Sequence, residues 1–147
     1  MTINLSTTTL IDKIAQDLGF TEIGNFNDSI LIKTNELIPI ATFLKNTPKF
    51  DFQMLVSITG VDYIEYFEIV YHLLSIQHNQ RAILKLRCYD RESPSAPSVV
   101  AIWPGAELQE REIWDLMGIQ FTEHPNMKRI LLWEDFKGHP LRKDYLR

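Results

Sequence analysis

The segment Tyr66-Phe-Glu-Ile-Val-Tyr-His-Leu-Leu-Ser-Ile-Gln-His-Asn-Gln-Arg-Ala-Ile-Leu-Lys-Leu-Arg-Cys-Tyr89 decides the fold. Residues 66–77 and 81–89 are two alternating runs flanking a short polar loop, the pattern of a β-hairpin. A two-residue loop at 78–79 sets Ile69 opposite Cys88, Tyr71 opposite Leu86 and Leu73 opposite Leu84 on one face. The other face then carries His72 opposite Lys85 and Val70 opposite Arg87. A slip of one residue would bury charge, so burial itself specifies which face turns inward. Cys88 falls on the apolar face and reads as core rather than as a reactive thiol.

Before this hairpin, Leu10, Ile11, Ile14 and Leu18 recur at helical spacing and predict a helix over 7–18, with Gly19 as its C-terminal stop. Gly24 to Ser29 is turn-rich, and Ser29-Ile-Leu-Ile-Lys33 reads as a short strand. Thr34 is placed to cap a second helix with Leu37, Ile40, Ala41 and Leu44 on one face, Pro39 in its first turn and Pro48 beyond its end. Phe50, Phe52, Met54, Val56 and Ile58 then alternate toward Thr59-Gly60, which predicts a strand.

After the hairpin, Arg91 to Pro97 is a loop leading onward, and Ser98 to Trp103 is ambiguous between strand and helical turn. Ala106 to Met117 reads as a helix closed by Gly118, with Glu107–Arg111 and Arg111–Asp115 as i,i+4 ion pairs on a solvated or partner-facing side. Short extended pieces are expected at 119–121 and 129–133. The order α-β-α-β-β-β-α predicts a two-layer α+β domain with an irregular, extended C-terminal segment. Residues 1–97 form its core with a mixed or antiparallel sheet; 98–147 add a helix and a docking segment to the same single domain.

A chain of 147 residues can bury a core without disulfides or metals. Its net charge of -4 argues against general nucleic-acid binding, which needs a basic face. No apolar run reaches the roughly 18 residues of a membrane span. The first residues lack the pattern of a signal peptide, and a single cysteine fits a reducing compartment. One thiol does not supply the usual four ligands of an iron–sulfur cluster. The glycines never fall in a phosphate-loop spacing, and no nucleophile elbow occurs. His124 and His139, near Glu123, Glu134 and Asp135, invite a metal reading. Both precede proline and neither belongs to a helical histidine pair, which favours rigid turns with imidazoles hydrogen-bonded locally or to a partner.

The last third is different in kind. All three tryptophans (Trp103, Trp114, Trp133) lie there, and Lys137, Arg142, Lys143 and Arg147 surround Asp144 with Leu141 and Tyr145 interleaved. Trp, Tyr and Arg dominate interface energetics, and Arg forks reward a fixed partner. A partner-docking tail is the expectation.

Three stretches carry a resemblance: Glu110-Arg-Glu-Ile-Trp-Asp-Leu-Met-Gly-Ile119, His124-Pro-Asn-Met-Lys-Arg-Ile-Leu131 and Asp135-Phe-Lys-Gly-His-Pro-Leu-Arg-Lys-Asp-Tyr145. They resemble the C subunit (NuoC/NdhJ family) of the proton-pumping NADH:quinone oxidoreductase, respiratory complex I. Thr59 to Tyr63 and Tyr71 to Leu73 also resemble positions of that family. Departures fall at Leu108, often tryptophan in the family, at Glu123, often glycine, and at Trp133 and Phe136, often proline and tryptophan.

The resemblance implies a cofactor-free structural component of the peripheral arm, without an active site of its own. It would dock on the D subunit near the B subunit, beside other peripheral-arm proteins, in a complex carrying FMN or another donor module, iron–sulfur clusters and quinone. The location implied is the cytoplasmic face of a cell or thylakoid membrane. Candidate partner-binding residues are Arg111, Glu112, Trp114, Asp115, His124, Arg129, Asp135, Gly138, His139, Pro140, Leu141, Arg142, Lys143, Asp144 and Tyr145. The alternatives are the equivalent subunit of a membrane-bound [NiFe] hydrogenase or formate hydrogenlyase complex, and a small metal-dependent enzyme using His124, His139 and Asp135.

Overall fold

A computed structural model describes residues 2–146. The chain forms β1 (Ile3–Asn4), α1 (Thr7–Leu18), β2 (Gly24–Phe26), β3 (Ser29–Ile32), a 3-10 turn (Thr34–Glu36), α2 (Leu37–Asn46), β4 (Met54–Asp62), β5 (Phe67–Ser75), β6 (Gln80–Cys88), β7 (Ser95–Pro97), α3 (Ala106–Met117) and β8 (Gln120–Thr122). The expected order of the longer elements holds, and the fold is α+β. Three short strands, β1, β2 and β7, are added, and they carry too few residues for alternation to register. β8 stands where an extended piece is expected at 119–121, and the piece expected at 129–133 forms no strand.

Six strands make one sheet in the order β2-β3-β6-β5-β4, with β1 pairing β6. β3 and β1 run parallel to β6, and the remaining pairs are antiparallel, so the sheet is mixed. Its inner face presents Ile30, Ile32, Ile58, Ile69, Tyr71, Leu73, Leu84 and Leu86, all buried. The second layer covers this face. It comprises Leu10 and Ile14 of α1, Leu37, Ile40, Ala41 and Leu44 of α2, and Ile113 and Met117 of α3. Fully burying each such side chain stabilises by about 1.5–3 kcal/mol.

The hairpin faces are as expected, but its register is shifted. Ile69 faces Leu86, Tyr71 faces Leu84, and Phe67 faces Cys88. The loop is longer than the two residues expected: the strands end at Ser75 and Gln80, and Asn79 turns the chain at φ 53. The pairing moves by an even number of residues, which leaves every side chain on its expected face. Cys88 is buried, its thiol donates to the Ser95 carbonyl, and burial pushes its pKa up to about 11.

The expectation of one alternating strand over residues 50–58 is corrected. Phe50 and Phe52 are buried in the turn before β4, where Asp51 takes φ 49. Within β4 a bulge between Leu55 and Ser57 inverts the phase. Leu55 and Ile58 therefore point inward while Met54 and Val56 are exposed. Thr34 does not cap α2 directly. The 3-10 turn intervenes, and the Glu36 carboxylate accepts from the Lys33 amide at 2.8 Å.

Candidate partner-docking site

α3 is the frame on which the C-terminal segment is built. Its inner side packs on β4 so tightly that Met117 Sδ would lie 2.8 Å from a Cβ placed on Gly60. Its N-terminal end is fixed by the 98–103 segment, which forms a turn, with the Trp103 amide bonding the Val99 carbonyl. The Trp103 indole donates to the Phe52 carbonyl at 3.0 Å.

Two carboxylates on α3 are fully buried, and each anchors a different loop. Glu110 accepts from the Ser98 hydroxyl at 2.7 Å and from the Val99 amide at 2.8 Å. Burial raises its pKa against these two donors. Asp115 accepts the Arg129 guanidinium at 2.8 Å on Oδ1 and three successive amides, Ile130, Leu131 and Leu132, at 2.8–3.2 Å on Oδ2. Burial opposes its ionisation, but Arg129 and the three amides outweigh burial and hold the carboxyl below its ordinary range. Of the ion pairs expected on a solvated or partner-facing side, Glu107–Arg111 is present and Arg111–Asp115 is corrected. Asp115 pairs with Arg129, and Arg111 keeps Glu107 at 3.6 Å while donating to the Lys128 and Arg129 carbonyls.

The end of α3 explains the Gly-His-Pro-Leu-Arg motif. A helix leaves its last four carbonyls without intrahelical partners. Here the Trp114 carbonyl accepts from the Gly118 amide, and Asp115 O lies 3.0 Å from both Arg129 Nη1 and His139 Nδ1. Leu116 O accepts from the Leu141 amide at 2.9 Å, and Met117 O accepts from Arg142 Nε at 2.6 Å. The motif is therefore a helix cap supplied from 25 residues downstream. It brings cationic groups to the negative end of the helix dipole. Gly118 sits at φ 76, and a Cβ there would meet Arg142 and His139 at 2.6 Å, so only glycine lets the cap close.

A second clasp ties the tail to the sheet. Asp62 at the end of β4 binds Arg91 through both oxygens (2.8 and 3.0 Å) and also accepts the Ile64 and Lys143 amides. Arg91 reaches Asp144 at 3.0 Å as well. The guanidinium of Arg91 holds the Asp62 carboxyl well below the usual carboxylate range. Arg91 and Arg142 both lie over the Phe67 ring, at 4.5 and 5.1 Å. Asp62, Arg91 and Glu110 are missing from the sequence-predicted site. The Thr59–Tyr63 resemblance points at the first and the Glu110–Ile119 stretch at the last, while nothing points at Arg91.

The predicted site residues thus divide. Arg111, Trp114, Asp115, His124, Arg129, Gly138, His139, Arg142, Asp144, Tyr145 and the Lys143 backbone are engaged within the chain. Arg129 lies between the Trp114 and Phe136 rings and donates to the Phe136 and Gly138 carbonyls, while Tyr145 stacks on Phe136 and packs on Gly138. His124 accepts the Asn126 amide on Nδ1, which leaves Nε2 to donate to the Glu107 carbonyl at 3.0 Å. Glu112, Asp135, Leu141 and the Lys143 side chain are exposed, and Pro140 is half-buried. Arg147 lies outside the described residues.

His124, His139 and Asp135 do not converge. Among the described residues, no three metal-ligating side chains cluster, and no helix is long and apolar enough to cross a membrane.

From 122 to 146 no residue is buried as a whole, although the His124 side chain is enclosed. This strap is held on by polar contacts while apolar side chains point out. Leu131 is 62% exposed, Trp133 67% and Leu141 58%, and Leu108 on α3 is exposed as well.

Residues 30–147 match the profile of the respiratory-chain NADH dehydrogenase, 30 Kd subunit. The chain belongs to this family. The C subunit of the NADH-quinone oxidoreductase of Roseiflexus sp. (strain RS-1) is 44% identical over 119 residues, covering 79% of this chain and 68% of the relative. That of Chelativorans sp. (strain BNC1) is 46% identical over 120 residues, covering 80% of this chain and 59% of the relative. The fold is also similar to a chain in the membrane-bound sulfane sulfur reductase, an archaeal respiratory membrane complex. The TM-score is 0.76 at 24% identity, covering 94% of this chain and 84% of that one. The three stretches that carry the resemblance form the helix frame, the Asp115-bound loop and the helix cap.

Proposed function

We propose that the chain is a cofactor-free structural component of the peripheral arm of a proton-translocating NADH:quinone oxidoreductase. It docks on the proteins that carry the quinone-reducing module, the D subunit with the B subunit nearby, at the cytoplasmic face of a cell or thylakoid membrane. Electron transfer through FMN or another donor group, iron–sulfur clusters and quinone belongs to those neighbours. This chain contributes position.

One observation carries the reading. Asp115, Arg129 and Arg142 of the motif are engaged within the chain, and the strap they tie to α3 presents Leu131, Trp133 and Leu141 to the outside. Large exposed apolar groups on a pre-organised scaffold suit an interface, because little ordering cost remains at association. The relatives' names favour the NADH–quinone complex over the hydrogenase alternative.

The test is a double substitution, Leu131→Ser with Trp133→Ser, in a tagged chain expressed with its complex. The isolated variant should unfold at the same denaturant concentration as the parent, yet fail to co-purify with the other subunits. Normal co-purification of a folded variant would remove the strap from the interface.

A further inference from the structure

We infer that the turn joining β4 to β5, residues 63–66, is a docking knob whose Ile64 enters an apolar socket, rimmed by Lys or Arg, on a neighbouring subunit of the complex. The proposal rests on the docking reading above and adds a second contact to it. The Glu65 amide bonds the Tyr63 carbonyl at 2.9 Å across Ile64, whose φ is 71, so this is a γ-turn of the rare, strained form. Among the described residues six non-glycine residues take a positive φ. Asn27, Asp28, Asp51 and Asn79 are of types that tolerate it, and a fifth is Glu123. Ile64 is the one β-branched residue among them, the class that this backbone suits least. Its side chain is also 61% exposed, so burial within this chain does not offset the strain.

The surroundings hold the strained turn in place. The Ile64 amide donates to Asp62 Oδ1 at 2.7 Å and its carbonyl accepts from Arg91 Nη1 at 2.9 Å, so the clasp fixes both main-chain groups of this residue. A braced backbone thus presents the side chain outward, and little ordering cost remains at association. Exposed Tyr63 precedes it, with its ring 5.2 Å from that of Tyr66. Tyr66 lies 5.5 Å from exposed Tyr89 and under the Arg87 guanidinium at 4.5 Å. Tyrosine and arginine beside an apolar tip are groups that anchor interfaces. Glu65, the next residue, is exposed and has no ion-pair partner among the described residues. A cation on the socket rim complements it, whereas a second copy meeting this turn about a two-fold would set Glu65 against Glu65.

Ile64→Asn in the tagged chain expressed with its complex tests the proposal, since asparagine suits the turn and lacks the apolar tip. The isolated variant should unfold at a higher denaturant concentration than the parent, while recovery of the other subunits should fall at least about tenfold. Ile64→Leu keeps an apolar tip and should recover them nearly as the parent does. An Asn variant that unfolds before the parent overturns the strained turn on which the proposal stands. A stable Asn variant that recovers the other subunits in full overturns the knob while leaving the docking of the strap in place. A parent chain that recovers no other subunit overturns both. An isolated parent of dimeric mass that Ile64→Asn makes monomeric assigns the tip to a second copy and also overturns the proposal. Glu65→Lys should cut recovery at least about tenfold at moderate salt while Glu65→Gln costs less. Recovery of that Lys variant equal to the parent overturns the cationic rim.

Discussion

Residues 3–88 and residues 90–146 are held by different forces. The first part is an apolar sheet-and-helix core built from Leu, Ile and Phe side chains. The second contributes Trp103, Ile113, Met117 and Phe121 to that core, and beyond residue 121 no apolar residue is buried. Beyond that packing its order comes from three carboxylates, Asp62, Glu110 and Asp115, each fully or nearly fully buried and each accepting at least one amide from a separate loop. Apolar packing tolerates changes that conserve volume. A carboxylate holding several amides and a guanidinium tolerates almost none, since removing it orphans every donor at once.

The sharpest way to break this contrast is Asp115→Ala. It strands the Arg129 guanidinium, itself largely buried, together with the Ile130, Leu131 and Leu132 amides. The expected cost is about 3–5 kcal/mol in denaturant unfolding. Leu84→Ala in the sheet should cost a similar 2–5 kcal/mol or so. Only the Asp115 variant should make residues 123–146 sensitive to limited proteolysis in the folded state. Equal protease resistance of the two variants would mean that the strap does not depend on the carboxylate.

Gly118→Ala comes next. A left-handed conformation costs an alanine roughly 1–2 kcal/mol. The new methyl would also displace His139 and Arg142, which contact its position. Loss of stability should therefore be accompanied by loss of the helix cap, visible as faster exchange of the Leu141 amide. Gly19→Ala, with a similar backbone angle but nothing within 4 Å, should show the backbone cost alone.

The same division explains what is legible in the sequence. Periodicity locates α1 and α3 to the residue and places both faces of the β5–β6 hairpin, because burial of one face leaves a repeating signature. The bulge at Leu55/Ser57 erases that signature locally, which is why alternation alone extends a strand back to Phe50 and Phe52. Bonds from Asp62 to Lys143, or from Arg142 to Met117, join residues that no local spacing connects. Asp115 and Arg111 sit at helical spacing, which suggests an ion pair, yet Arg129 offers Asp115 a bidentate-capable fork and the neighbouring amides complete its shell. Resemblance locates the signature residues, and their division into frame and exposed surface emerges only in three dimensions.

Acid titration separates the Asp62 clasp from the apolar core. Its folded pKa is depressed by Arg91, so its contribution is present above the unfolded value of about 3.9 and disappears as pH falls through the folded value. Stability should decline below about pH 5, and Asp62→Asn should be less stable at neutral pH with a flatter acid limb. An unaltered acid limb in the variant would assign the acid sensitivity to Asp115 instead.

The smallest expected effect is the most diagnostic of the strap's conformation. Glu123 adopts φ 63, a region that favours glycine, at a position where the resembling family often carries glycine. Glu123→Gly removes the left-handed penalty but loosens the unfolded chain, which costs about 0.4–1 kcal/mol. The two nearly cancel, and the net should be a stabilisation below about 1 kcal/mol. The sign carries the information: the same substitution at Glu107, inside α3, should destabilise by about 1 kcal/mol. If Glu123→Gly destabilised as much as Glu107→Gly, the turn between β8 and the strap would not be left-handed, and the His124 imidazole could not sit over the Glu107 carbonyl where it closes the strap onto the helix.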